Sequence, residues 1–265
     1  MKNSTAALTD MWRVTNLLMP VFVMFASAIG VSVFADGKFE VSGVKIHYIS
    51  EGQGEPVVLI HGLSSSAKGN WQMPGIIGML SREYHVIALD MPGHGESDRP
   101  EIQDAYGLQM VEDVVGLLDH LKIKKAHIVG YSMGGMVTVK LMAKYQDRVL
   151  SGMVGGMGWL REGSRLQRSW EQMPERPGGR IPAACVRGLA QLAVTRHELE
   201  SIRVPVLVMV GDRDPTNRLY VAPLRQVRTD WEVTEIQDAG HLNCIAKLQF
   251  KEELKKWLDK QKRTS

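Results

Sequence analysis

The chain has 265 residues, 44% of them hydrophobic and 23% charged, which is ordinary globular usage and excludes a low-complexity protein. That length suits one large α/β domain or two small ones. With 32 Lys and Arg against 29 Asp and Glu, the formal net charge is +3, too small and too dispersed to argue for a nucleic-acid partner.

The first 35 residues differ from the rest. Residues 17–33 are almost wholly apolar, carry no charge and follow Lys2 and Arg13, and small or modest side chains stand at Val33 and Ala35 before Asp36. This is the layout of a signal peptide, so segment 1–35 predicts export to the periplasm or beyond the cell. The alternative is an uncleaved membrane anchor, because the apolar run approaches the ~18–20 residues that span a bilayer. Membrane association is expected only through this segment.

From residue 39 to 49, apolar and polar residues alternate on either side of Ser42-Gly43, predicting an edge hairpin. Residues 57–60, 85–89, 126–129 and 204–210 are continuous apolar runs, as strands buried on both faces require. Residues 231–236 read as a later, more amphipathic strand. Between these runs, Leu108, Val111, Val114, Val115, Leu118 and Leu121 form a stripe at helical spacing, with Glu112, Asp113 and Asp119 placed off it. Phe250, Leu254, Trp257 and Leu258 form a second stripe, and the Lys-rich residues around them read as a solvated helix face. Strands alternating with helices predict a mostly parallel sheet covered on both sides. Residues 159–203 break the alternation. They mix Gly, Pro, Arg and Trp without a buried-strand signal, and a stretch of that length reads as a small helical lid.

The chemistry concentrates at Gly130-Tyr131-Ser132-Met133-Gly134, which follows an apolar run and opens a helical stretch. A serine on so tight a strand-to-helix turn projects its hydroxyl above the sheet. It needs a base, and the base needs an orienting carboxylate. His241 stands after the last strand, and Asp214 follows the apolar run 204–210, so both occupy the carboxyl ends of strands, where open α/β sheets build their sites. Asp212 is the competing acid. His61 and His94 read as structural residues, and the remaining histidines have no metal-ligand spacing, so no metal and no cofactor is expected. Cys185 and Cys244 read as structural, either unpaired or bridged to each other.

Four motifs now occur in order: His61-Gly62 after a strand, Asp90-Met91-Pro92-Gly93-His94-Gly95-Glu96-Ser97, the serine turn, and Gly240-His241. From about residue 39 to 258 the sequence resembles the α/β-hydrolase fold family. The resemblance implies an eight-stranded, mostly parallel sheet flanked by helices, with a short lid after the sixth strand. It divides the chain into a core of 36–158 and 204–265 and a lid of 159–203. It implies Ser132 as nucleophile, His241 as general base, Asp214 as orienting acid, and the backbone N–H groups of Leu63 and Met133 as oxyanion donors. His61-Gly62-Leu63-Ser64 departs from the HGGG loop of one esterase branch. Trp159 and Trp170, with Leu160 and Met173, are candidates to line an apolar acyl or alcohol pocket, or to form the lid's own core.

The expected function is acyl transfer on a small molecule, a carboxylic ester first of all. Amide, lactone or carbon–carbon bond hydrolysis stays open, since one fold supports many reactions. A serine in place of an aspartate argues against dehalogenase and epoxide hydrolase chemistry. The competing class is a ligand-binding or signalling protein that retains the triad.

Overall fold

A computed structural model describes residues 35–174 and 181–262 of the chain. Segment 1–34, which carries almost all of the expected export signal, lies outside the described residues. Among those described, no helix is long and apolar enough to cross a membrane.

The first two strands, β1 (Ala35–Val41) and β2 (Val44–Glu51), form the hairpin that the alternation predicts. Ser42 and Gly43 both take positive φ, 51° and 77°, the conformation that matches a two-residue turn to the twist of its strands. Then follow β3 (Glu55–Ile60), α1 (Ile76–Leu80), β4 (Tyr84–Leu89), α2 (Leu108–His120), β5 (Ala126–Tyr131), α3 (Met133–Tyr145) and β6 (Val149–Gly155). After β6 come the short helices α4 (Arg165–Glu171), α5 (Ala183–Gly188) and α6 (Arg196–Ser201). The chain returns to the sheet with β7 (Val206–Gly211), α7 (Ala222–Arg225), β8 (Glu232–Ile236) and the closing α8 (Leu248–Lys262).

The eight strands make one sheet in the order β1-β2-β4-β3-β5-β6-β7-β8. The pairs β1–β2 and β2–β4 are antiparallel and every other pair is parallel. Alternate side chains of each central strand enter opposite layers. Val58, Ile60, Ile128 and Val208 pack with α2, α3 and the insertion, whereas Val57, Leu59, Val129 and Met209 pack with α1 and α8. Burial on both faces is what made these strands continuous apolar runs.

β6 is absent from the sequence-level strand assignment. Its Gly152 hides the apolar pattern, and a Cβ there would stand 2.3 Å from the Met142 sulfur. The strand gives up side chains so that α3 can lie close against it. A second correction concerns α2. Asp113, placed off the apolar stripe, is 1% exposed, and Met110 and Leu117 join the buried stripe while Leu108 is exposed.

The insertion between β6 and β7 is drawn together at its base. Val194 donates its N–H to the Leu160 carbonyl at 3.0 Å and accepts from Glu162 N–H at 3.1 Å, and the Trp159 indole N–H also donates to the Val194 carbonyl. Trp159 and Leu160 are buried in the core, and Trp170 packs against it. The cysteines are both free and buried, Cys185 in one core layer and Cys244 in the other. Burial pushes each thiol up to about 12, so neither is an ionised nucleophile near neutral pH.

Candidate active site

Ser132 terminates β5 and opens α3 with φ 54° and ψ −112°, a conformation that non-glycine residues adopt only when their surroundings impose it. Here two close approaches impose it. A Cβ at Gly130 would stand 2.0 Å from the Gly134 carbonyl, and one at Gly134 would stand 2.1 Å from the carbonyl of Ile60 in β3. The turn is pinned further by Ser132 N–H donating to Gly155 O at 2.7 Å and Gly134 N–H to His61 O at 3.1 Å.

The sheet edge brings together three residues that the sequence singles out. Ser132 Oγ lies 2.9 Å from His241 Nε2, and His241 Nδ1 lies 2.8 Å from Asp214 Oδ2. Asp214 is buried. Burial raises its pKa, but the bonds from His241 and from the Thr216 N–H outweigh that and hold it below the usual carboxylate value. An ionised carboxylate only accepts, so the His241 proton resides on Nδ1 and the Nε2 lone pair faces the serine hydroxyl. Asp212 is exposed and does other work, accepting the Ala239 N–H at 2.9 Å two residues before the histidine.

Opposite the serine, the loop after β3 is fixed by a histidine. His61 Nδ1–H donates to the Gly62 carbonyl at 2.8 Å, and His61 Nε2 accepts the Met91 N–H at 3.0 Å. Burial lowers its pKa and keeps the ring neutral, as these roles require. Ser65 N–H also holds the Gly62 carbonyl, at 3.2 Å. In a trans peptide the C=O and N–H point in opposite directions, so clamping that carbonyl aims the Leu63 N–H away from it. Asn70 Oδ1 takes the Gly62 N–H at 2.7 Å. Among the described residues, no acceptor takes the N–H of Leu63 or of Met133. Met133 also sits at the positive end of the 13-residue helix α3.

His94 packs against His61 with ring centroids 4.9 Å apart and the planes tilted by 56°. Its Nδ1–H donates to Pro92 O at 3.0 Å, and burial drives its pKa down to about 3. It is a neutral corner residue, as the sequence suggests. Trp170 spends its indole on the Tyr220 hydroxyl at 3.4 Å. Trp159 also edges a groove of about 660 Å³ bordered by Arg161, Thr195, Arg196 and Pro223, which does not include Ser132 or His241. Among the described residues, no cluster of His, Cys, Asp and Glu suits a metal ion. Sequence reasoning missed Asn70 and Tyr131, whose contacts depend on how distant loops meet and leave no pattern along the chain.

This sheet order and this elbow define the α/β-hydrolase class of architecture. The alpha/beta hydrolase fold family profile matches residues 55–187, half of the chain, and the protein belongs to that family. The chain is 26% identical over 227 residues to 3-oxoadipate enol-lactonase 1 of Acinetobacter baylyi, covering 72% of this chain and 83% of that protein. It is 38% identical over 138 residues to the dihydrolipoyllysine-residue acetyltransferase component of the acetoin cleaving system of Pseudomonas putida. That match covers 50% of this chain and spans about a third, 36%, of the larger protein. The structure of E-2-(acetamidomethylene)succinate hydrolase superposes with a TM-score of 0.71 at 20% identity, covering 86% of this chain and 100% of that one.

Proposed function

We propose that the protein is a serine hydrolase that transfers the acyl group of a small carboxylic ester to water. The observation that carries the reading is the Ser132–His241–Asp214 series, with contacts of 2.9 and 2.8 Å at a strained elbow. Ser132 Oγ attacks the carbonyl carbon as its proton passes to His241 Nε2, and Asp214 stabilises the imidazolium. Leu63 and Met133 N–H groups receive the oxyanion. His241 then protonates the departing alkoxide, and a water, deprotonated by the same nitrogen, releases the acid and restores Ser132. An alkoxide leaves more readily than an amine, which favours esters over amides. A lactone is a cyclic ester and needs no further machinery, and likeness to an enol-lactonase supports including it. Segment 159–203 serves as a lid whose base is held at Val194, with Trp159 and Trp170 packing it onto the core.

The test is labelling by a fluorophosphonate probe together with turnover of p-nitrophenyl esters. Native protein should label and turn over, and Ser132→Ala should do neither, with rates down by about 10⁶-fold, near the residual level of triad knockouts. Labelling without turnover on a broad ester and lactone panel would favour a ligand-binding role instead. Full activity in Ser132→Ala would remove the serine from the mechanism.

We also propose that segment 1–35 directs export. Pairing in β1 runs from Ala35↔Ser50 to Val41↔Val44, so cleavage before Asp36 removes a single pair and leaves the hairpin intact. N-terminal sequencing of exported protein should then begin at Asp36; an intact Met1 would mean an anchor.

A further inference from the structure

Tyr131 occupies the position of the elbow that the motif leaves free, between Gly130 and Ser132. Its surroundings leave it little freedom. The hydroxyl donates to the backbone carbonyl of His241 at 2.5 Å, across 110 residues of sequence. The ring lies 5.6 Å from the His241 imidazole at an interplanar angle of 38°, and it meets Phe250 edge-on at 6.0 Å. Burial raises the phenol's pKa further above neutrality, so the hydroxyl is a permanent donor.

The loop that bears His241 lacks regular structure of its own. Ala239 is tied to Asp212 and Gly240 N–H to Asn243 Oδ1 at 2.8 Å. The first bond lies two residues upstream, and the second stays inside the loop. Beyond the histidine Leu242 is 92% exposed, and the chain re-enters the core only at Cys244 and Ile245, with Cys244 N–H donating back to the Gly240 carbonyl at 3.2 Å. The peptide of His241 itself is tied to the sheet by the Tyr131 hydroxyl, and Tyr131 is the last residue of β5.

We propose that Tyr131 is a positioning residue for His241, fastening the peptide of the base to the strand that carries the nucleophile. This inference rests on the reading of His241 as general base. Ser132 and the tether of its base are then adjacent residues, so a shift of the elbow carries both ends of the 2.9 Å proton-transfer contact together. Without the tether, the His241 peptide can shift by an ångström between its buried flanks Ala239 and Cys244 while the tilted ring contact persists, and catalysis is sensitive to displacements of that size.

The experiment is Tyr131→Phe, which removes one oxygen and keeps the packed ring. For p-nitrophenyl acetate, kcat per fluorophosphonate-titrated site should fall about tenfold, with KM held within about twofold. The thermal midpoint should stay within a few degrees of native. The low-field proton NMR signal of the His241 Nδ1–H···Asp214 bond should broaden or vanish. An unchanged kcat per titrated site overturns the proposal, and so does a lower melting temperature with fewer titratable sites but normal kcat at those remaining. His241→Ala run in parallel separates the two readings. If it retains native turnover, the assignment of the base is wrong; if it is dead while Tyr131→Phe is fully active, only the tether is wrong.

Discussion

Asp212 and Asp214 stand two residues apart on one loop and receive different partners. Asp214 is buried and holds the imidazole N–H; Asp212 is exposed and holds a backbone N–H of the next loop. The two Asn substitutions should therefore separate. Asp214→Asn can present an amide N–H to Nδ1, which favours the tautomer with the proton on Nε2, so kcat should fall by about 10³–10⁴-fold. Asp212→Asn keeps a carbonyl oxygen for Ala239 and should lose less than about tenfold. Ester turnover of both variants, normalised to titrated sites, decides the matter; equal losses would mean that the acid has been assigned to the wrong residue. The residues of this series were legible because each follows a strand and stands within three residues of a glycine, Ser132 two after Gly130, Asp214 three after Gly211 and His241 one after Gly240. Asn70 and Tyr131 were not legible. Asn70 acts through a bond to Gly62 and Tyr131 through one to the His241 carbonyl, and such bonds carry no residue code on the accepting or donating backbone.

At the scale of elements, the elbow exists because α3 starts almost in contact with β3. Replacing Gly134 by Ala would place a methyl 2.1 Å from the Ile60 carbonyl, which is backbone and cannot rotate aside. The helix must retreat, and the Met133 N–H retreats with it. We expect Gly134→Ala to lose about 1–3 kcal/mol of stability and most of its phosphonate labelling. Gly78 in α1 is the control, because a Cβ there meets nothing within 4 Å. Gly78→Ala should be neutral or stabilising by up to about 1 kcal/mol. Urea midpoints and labelling rates of the pair test this; equal midpoints would show that α3 can yield without cost. The same close packing explains what the sequence hid. The strands that meet helices through aliphatic side chains were readable from the chain, while β6 meets α3 through Gly152 and was not.

At the largest scale, the described residues form one sheet with apolar layers on both faces, and a single buried carboxylate tests how dry one of them is. As a carboxylate, Asp113 falls outside a stripe drawn from apolar residues. By position it belongs to the stripe Met110, Asp113, Val114, Leu117, all buried. One carboxyl oxygen accepts from Gln109 Nε2 at 3.0 Å, and the other has no partner. Burial above all, with Glu112 nearby, raises its pKa from 3.8 to about 7 against the opposing bond from Gln109. The native state therefore binds a proton that the unfolded chain has released between pH ~4 and ~7, and stability falls as pH rises through that window. Below it the two states are equally protonated and the cost disappears. Asp113→Asn keeps the oxygen that Gln109 bonds and removes the titration. The variant should match native protein near pH 4 and exceed it increasingly up to pH 7, by up to about 4 kcal/mol at about 1.4 kcal/mol per pKa unit. Above pH 7 the difference should level off. Urea denaturation of both proteins from pH 4.5 to 8.5 measures it, and parallel stability curves would show that Asp113 stays ionised, with water reaching the layer between α2 and the sheet.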